Sequence, residues 1–121
     1  MSKIYKILTH TEWEAANKLG HVKTELDDRD GFIHCSTAKQ LALTLHLYFK
    51  EEKSVVLCEI DECDLNRSEY FFEKTLSNNR SEQEFPHIYG KLCIEQISKI
   101  WKLEKNAFQI PENILLELEN D

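Results

Sequence analysis

The eight residues from Ser54 to Asp61 constrain the fold more than any other stretch of the chain. They read SVVLCEID, so both alternating sets of side chains begin with apolar residues. Since side chains alternate between the two faces of a strand, this pattern is typical of a central strand that is covered on both sides. Glu59 and Asp61 share the face of Leu57. The sequence therefore predicts a central strand, and leaves Glu59 either as a site residue or as a charge that emerges into solvent.

Four shorter runs complete the predicted set of strands. Each is rich in the residues that strands favour and is bounded by polar or turn-forming residues. The runs are Ile4–Leu8, Gly31–Ser36, Glu69–Glu73 and Ser98–Leu103. The composition of Ser77–Ser81 predicts a loop after the third of these runs.

A capping box predicts the first helix. Thr11 is followed three residues later by Glu14, and a threonine hydroxyl and a glutamate at this spacing can satisfy each other's backbone amides. We expect the helix to run to about Leu19 and to stop at Gly20. Residues 21–30 are mixed and polar, so we expect a loop whose charges are solvated.

A second capping box predicts a longer helix. Thr37 and Gln40 have the required spacing, and apolar residues then recur at helical intervals as far as Phe49. We expect this helix to be largely buried. Pro111 suits the first turn of a last short helix near the end of the chain.

The charge and the cysteines restrict the class of protein. Fifteen lysines and arginines face 22 aspartates and glutamates, which gives a net charge of −7. A protein that binds nucleic acid through phosphates needs a basic surface, so we expect no nucleic-acid partner. No leader opens the chain and no apolar run approaches the roughly 18 residues of a membrane span. We therefore expect a cytoplasmic protein of one domain, residues 1–121, without membrane association and with free thiols at its four cysteines.

Two distant stretches, Gly31–Ser36 and Phe85–Gly90, each place a histidine in a short apolar segment next to glycine. In the first, alternation puts His34 and Ser36 on one face and Cys35 on the other. His34 and Cys35 therefore cannot form a nucleophile–base pair in a regular strand, and Cys35 is predicted to be a small core residue.

In the second stretch, extended geometry puts Phe85, His87 and Tyr89 on one side of the chain. Pro86 lacks a backbone N–H, so we expect that it cannot lie within a central strand. The simplest interpretation is an aromatic cluster that closes one end of the core, with His87 hydrogen-bonded. The alternative is a ligand pocket that both histidines share.

A metal site is possible in principle but has weak support. Two histidines and a carboxylate can bind zinc or iron, yet His34 and His87 lack the compact spacings of metal-binding motifs. Cys58 and Cys63 are a C-x4-C pair without a second tight pair, a weak signal for zinc. We therefore predict no metal ligands.

Several motifs occur together along the chain. They are Trp13 in the first predicted helix, Gly31–Ser36, Gln40-Leu41, Leu57-x-Glu59-Ile60-Asp61, Phe85–Gly90 with Leu92, and Phe108–Pro111. Together they resemble the domain of unknown function 952 family over nearly the whole chain. The resemblance implies an α+β fold of the ADP-ribosylation type, in which a split, largely antiparallel sheet forms a cleft and helices pack at its sides.

In active transferases of that fold the cleft holds NAD, so the resemblance makes NAD a possible cofactor or substrate. An early strand supplies a histidine or arginine to the ribose, and His34 is the residue that matches. A serine or threonine commonly lies near it, as Ser36 and Thr37 do here. A glutamate stabilises the oxocarbenium-like transition state, and Glu59 and Glu73 are both candidates.

The first functional hypothesis is a cleft that binds a small nucleotide-like ligand, with NAD-linked ribosyl transfer or glycohydrolysis as the reaction. His34 would bind the ribose, while His87 or Tyr89 would stack on or orient the base. The alternative is a non-catalytic module that binds a ligand through the same residues, or a partner-binding domain in which both histidines are structural. The sequence predicts no particular protein partner.

Overall fold

The computed structural model describes residues 2–74 and 83–104, which form six strands, three α-helices and several 3₁₀ turns. The strands are β1 (Lys3–Leu8), β2 (Ile33–His34), β3 (Ser54–Asp61), β4 (Tyr70–Lys74), β5 (Glu84–Ile88) and β6 (Ile97–Glu104), and the helices are α1 (His10–Leu19), α2 (Glu25–Asp30) and α3 (Leu41–Tyr48). The predicted loop at Ser77–Ser81 and the predicted helix after Pro111 lie outside the described residues.

The strands form two antiparallel sheets of three strands each. The first has the order β1-β3-β6, and the second has the order β2-β5-β4. Tyr5 of β1 exchanges two backbone hydrogen bonds of 2.8 Å with Ser36, just beyond β2, so the chain links the two sheets there. The prediction of a mixed α and β domain with antiparallel sheets is confirmed.

β3 begins and ends where the sequence predicted and lies between β1 and β6. Its two faces bury separate apolar clusters, as the pattern required. Val56, Cys58 and Ile60 pack with α1 and the β2–β5 side of the molecule. Val55 and Leu57 pack against the buried face of α3. β3 therefore separates the two apolar clusters of the core.

Three local predictions were wrong in detail. The first helix begins with Thr9, whose hydroxyl accepts from Glu12 N–H at 3.1 Å while Glu12 accepts from Thr9 N–H at 2.9 Å. The same Thr-x-x-Glu spacing occurs twice in this stretch, and the earlier copy is the cap. Gly20 ends the helix in the left-handed conformation, as predicted. The second capping box holds, since Gln40 Oε1 accepts from Thr37 N–H at 3.0 Å, but it starts a 3₁₀ turn that leads into α3.

The second error is the predicted loop at residues 21–30, where the chain forms α2. Thr24 caps this helix by accepting from Asp27 N–H at 3.2 Å, and Gly31 ends it in the left-handed conformation. The charges of this segment are not all solvated, because Asp27 is buried.

The third error concerns Pro86, which lies inside β5, the central strand of the second sheet. Regular pairing in β2 covers only Ile33 and His34, so the predicted strand at Gly31–Ser36 is shorter than expected. The Pro86 carbonyl oxygen accepts from Cys35 N–H at 3.0 Å. Proline has no backbone N–H to donate, and Pro86 lies just beyond the two residue pairs that join β2 to β5. A proline is tolerated in this central strand because its neighbour is so short.

Two absences apply to the part of the chain that the structure describes. No helix there is long and apolar enough to cross a membrane. No group of three metal-binding side chains occurs there either.

The four cysteines are free thiols, as predicted, and burial raises the pKa of the Cys35 thiol to about 12. Cys35 is therefore an inert core residue at neutral pH.

Candidate functional site

The two histidine motifs meet in the second sheet. His34 of β2 lies directly opposite His87 of β5 in the strand register, and their ring centroids are 5.7 Å apart. Phe32 stands against both rings, with its centroid 4.5 Å from that of His34 and 4.0 Å from that of His87. Two stretches separated by some fifty residues therefore form one cluster, as their shared chemistry suggested.

His34 is held on both sides by carboxylates. Its Nδ1 lies 2.7 Å from Asp27 Oδ1, and its Nε2 lies 2.9 Å from Asp30 Oδ2. Its backbone N–H also donates to Asp27 Oδ1 at 3.0 Å. Both ring nitrogens thus lie within hydrogen-bond distance of carboxylate oxygens, which accept hydrogen bonds. In this conformation His34 has no free nitrogen for a ribose hydroxyl.

Lys6 completes this charged network beneath the site. Lys6 and Asp27 are each only 5% exposed. Lys6 Nζ donates to Asp27 Oδ1 at 3.0 Å and to the His34 carbonyl oxygen at 2.8 Å. Its 2.8 Å approach to Oδ2 is an ion pair without hydrogen-bond geometry. Lys6 therefore ties β1 to α2 and to the backbone of β2.

The Asp27 carboxyl is an anion over the whole physiological range. Burial alone would raise its pKa, but the charge of Lys6 and the hydrogen bonds from His34 and Lys6 outweigh burial and lower the pKa to about 2. Because one carboxylate serves both a lysine and a histidine, Asp27 is the residue on which the local geometry depends.

His87 differs from His34 in its burial and in its hydrogen-bond partners. Its side chain is only 1% exposed, and its Nδ1 lies 2.9 Å from Glu73 Oε1. Burial lowers the pKa of His87 most, and the nearby His34 lowers it further, against the opposing effect of Glu73. The ring is therefore neutral near pH 7. Among the residues that the structure describes, Nε2 has no hydrogen-bond partner, although buried polar atoms in native proteins almost always have one.

Glu73 and Tyr89 form the solvent side of the cluster. Glu73 Oε1 accepts from His87 Nδ1 and also from the Tyr89 hydroxyl at 2.6 Å. These two hydrogen bonds, with that from Tyr89 the larger contribution, lower the pKa of Glu73. Phe32 stacks at 5.3 Å from the Tyr89 ring. The result is a fixed carboxylate at the rim of an aromatic cluster.

A mainly apolar cavity of about 60 Å³ lies between this cluster and α3. It is lined by both histidines, by Ser36 and Thr44, and by apolar side chains of β1, α3 and β5. The Ser36 and Thr44 hydroxyls are 2.7 Å apart, and Thr44 also donates to the Gln40 carbonyl oxygen at 3.2 Å. The cavity therefore contains a few polar groups in an apolar wall, as small-molecule sites do.

A second, more open groove of about 270 Å³ lies beside Phe32 and Tyr89. It is about equally polar and apolar and carries Lys23 and Lys91. Lys23 is paired with Asp28 at 2.6 Å, whereas Lys91 has no ion-pair partner within the described ranges. Asp27 and Asp28 also line the groove, so its two lysines are matched by two carboxylates.

The structure brings together five of the seven residues that were predicted for the site, and leaves two apart. His34, His87, Ser36, Glu73 and Tyr89 lie in or beside the cavity cluster. Thr37 only begins the 3₁₀ turn that precedes α3. Glu59 lies in the other sheet, where it accepts from Tyr5 Oη at 3.3 Å and pairs with Lys3 at 3.4 Å.

Sequence reasoning missed Lys6, Asp27 and Asp30 as site residues, and it gave Phe32, in the predicted strand with His34, no role in the site. Two signals were available. Alternation places Lys6 on the same strand face as Ile4 and Leu8, and a lysine between two core residues needs a buried partner. Thr24 and Asp27 also have the spacing of a helix cap. Neither signal identifies the partner, which lies 21 residues away in the chain.

A family model and solved structures of one bacterial protein match the chain. The model of the family described as "Protein of unknown function (DUF952)" matches residues 7–100. The chain is 29% identical to the crystal structure of protein CC0527 from Caulobacter crescentus, with a TM-score of 0.81 over 95% of this chain and 99% of that one. The solution NMR structure of CC0527 is 30% identical, with a TM-score of 0.71 over 86% of each chain. No curated protein matches the chain.

Proposed function

The chain belongs to the DUF952 family of proteins of unknown function, and from the geometry of its site we propose that the cleft at His34 and His87 binds a small nucleotide-like ligand. The observation that carries this proposal is the unpartnered Nε2 of His87, a 1% exposed residue that lines the cavity. Burial of a hydrogen-bond acceptor without a partner costs free energy, so we expect Nε2 to have a partner when the ligand is bound.

The tautomer of His87 defines what the ligand must offer. Glu73 is a carboxylate and can only accept, so His87 Nδ1 carries the proton and Nε2 carries a lone pair. The ligand therefore donates a hydrogen bond to Nε2, as a ribose hydroxyl would. His87 takes the ribose-binding role that the resemblance assigned to His34, while His34 and its two carboxylates hold the neighbouring strand in place.

The size of the cavity selects part of a nucleotide. A buried water needs about 10–15 Å³ of such space, so about 60 Å³ has room for a ribose-sized fragment. The rest of the ligand would lie across Phe32 and Tyr89 into the open groove, where Lys91 suits a phosphate. NAD and ADP-ribose have this composition, and NAD is the ligand that the ADP-ribosylation type of fold implies.

Ribosyl transfer or glycohydrolysis is the reaction that this arrangement suits best. As the bond between ribose and base loosens, positive charge develops on the ribose, and a fixed carboxylate stabilises it. Glu73 is the better candidate for that carboxylate, because it lies beside His87 and is partly exposed. Glu59 is buried and engaged by Lys3, Tyr5 and Ser98 in the other sheet.

A thermal-shift panel tests the binding function. We expect NAD or ADP-ribose to raise the melting temperature of the wild type and of His46→Ala, a control on the exposed side of α3. A ligand at 100 times its dissociation constant adds about 2.7 kcal/mol of stability. We also expect Glu73→Gln to abolish turnover of NAD while it retains binding. The proposal is wrong if nucleotides and nucleosides across the panel leave the melting temperature unchanged.

One observation favours the second candidate, a non-catalytic domain with structural histidines. His34 is fully engaged by Asp27 and Asp30, as a histidine that serves only the fold would be. In that case ligands bind without any product, or partner proteins take their place. Saturable binding of ADP-ribose, with NAD unchanged after long incubation, would favour this candidate over the enzyme.

A further inference from the structure

An aromatic pair on the second sheet faces solvent beside the cleft. Phe71 of β4 and Tyr89, just beyond β5, are each 47% exposed. Their ring centroids are 6.0 Å apart and their planes meet at 69°. Large aromatic side chains that remain half exposed next to a buried cluster are unusual enough to suggest a binding surface.

Glu73 supplies a negative charge beside this pair. Its Oε1 accepts both described hydrogen bonds, from His87 and Tyr89, so Oε2 is left without a partner among the described residues. The Glu73 side chain is 40% exposed, and its two hydrogen bonds lower its pKa. The Oε2 atom of this carboxylate therefore lies at the edge of the aromatic pair, next to the buried ring of His87.

A second acidic residue lies close to the pair. Glu69 precedes Phe71 by two residues, and its carboxyl group lies over Gly90, where an added Cβ would meet it. Of the lysines and arginines in the described ranges, none lies within 4.0 Å of Glu69 or Glu73. The aromatic pair is thus bordered by two carboxylates that lack a basic partner.

We propose that Phe71, Tyr89 and Glu73 form a subsite for a small organic cation, such as a quaternary ammonium group. A cation within about 6 Å of a ring centroid is attracted by the π-face, and the carboxylate adds charge complementarity. A metal ion does not suit the subsite, because no group of three metal-binding side chains occurs among the described residues. This proposal rests on the proposed function, since the subsite belongs to the same cleft and specifies the charge of its ligand.

Choline and 3,3-dimethylbutan-1-ol provide the test, because they have the same shape and differ in charge. We expect NMR titration of the wild type to show choline binding at least about tenfold more tightly than the neutral alcohol. Glu73→Gln should reduce that preference, because only the attraction by the two rings remains, and Phe71→Leu should weaken choline binding. The control is Phe72→Leu, at a residue 42% exposed on the opposite face of β4, which should bind choline as the wild type does.

Three results would overturn the subsite. They are equal affinity for the two compounds, no binding of choline, or a charge preference that Glu73→Gln leaves undiminished. If ADP-ribose still binds in any of these cases, the subsite is wrong and the proposed function stands. If choline binds as expected and no nucleotide does, the nucleotide part of the proposed function is wrong and the cation subsite stands.

Discussion

Replacement of Asp27 by alanine is expected to lower the free energy of unfolding by about 3–5 kcal/mol, as removal of one partner from a buried ion pair usually does. Lys6 is almost completely buried and would keep its charge without a counter-ion. The backbone N–H and Nδ1 of His34 would lose the same acceptor. Urea denaturation measures the loss directly.

The next residue provides a matched control. Asp28 forms an ion pair with Lys23 at 2.6 Å, but both side chains are more than half exposed. Exposed pairs contribute only about 0–1 kcal/mol, so Asp28→Ala should unfold close to the wild type. If Asp27→Ala and Asp28→Ala lose similar small amounts, the network around Lys6 does not hold the site together.

The Asp27 carboxylate also makes the stability of the wild type depend on pH under acidic conditions. The pKa of Asp27 is about 2 in the folded protein, below its ordinary value of 3.8. A depressed pKa adds stability above the unfolded value, and that contribution is lost as pH falls from about 4 through about 2. Asp27→Asn lacks this group, so its stability should fall less steeply across that interval than the stability of the wild type.

Replacement of His87 by phenylalanine is expected to separate binding from folding. The new ring has a similar shape and can keep the stacking on Phe32, whose centroid lies 4.0 Å away. It loses the hydrogen bond to Glu73, but it also removes the unpartnered Nε2. These two effects are each about 1 kcal/mol and opposite in sign, so the free energy of unfolding should change little.

Ligand binding should respond very differently to the same change. Without an acceptor at Nε2, and with a larger ring against a cavity of about 60 Å³, His87→Phe should weaken ADP-ribose binding by more than about tenfold. Isothermal titration calorimetry measures the affinity, with His46→Phe as a control on the exposed side of α3. A variant that is strongly destabilised and still binds at wild-type affinity would show that His87 is a structural residue.

The sequence predicted well the parts of the fold that depend on the alternation of apolar and polar residues along the chain. β3 is apolar on both faces, and burial on both faces leaves few alternatives for such a strand. Alternation likewise placed Cys35 in the core and His34 on the other face, as the structure shows. These features depend on neighbours one or two residues apart, so the sequence carries them directly.

The parts that were missed depend on long-range partners. α2 reads ELDDRD and has no apolar repeat, and its buried Asp27 is stabilised by Lys6 of a distant strand. Pro86 is acceptable in β5 only because β2 is two residues long. Periodicity carries no information about either fact, since both depend on which segments meet in space.

The candidate site was predicted in part for the same reason. The two histidine motifs indicated a shared pocket, but their residue types could not say which histidine is open. The structure answers that question through their partners, because His34 has two carboxylates and His87 has one. The choice between Glu59 and Glu73 likewise depends on position, which the resemblance alone left open.

Nitrogen-15 NMR of the His87 ring, with and without ADP-ribose, tests most directly whether His87 binds a ligand. We expect a neutral ring near pH 7, protonated at Nδ1, with a pKa below the ordinary histidine value of 6.5 because burial disfavours the charged form. Saturating ADP-ribose should then shift the Nε2 resonance as it accepts a hydrogen bond. A ring protonated at Nε2, or an Nε2 resonance that bound ADP-ribose leaves unchanged, would contradict the central claim that His87 is the open acceptor of a ligand site.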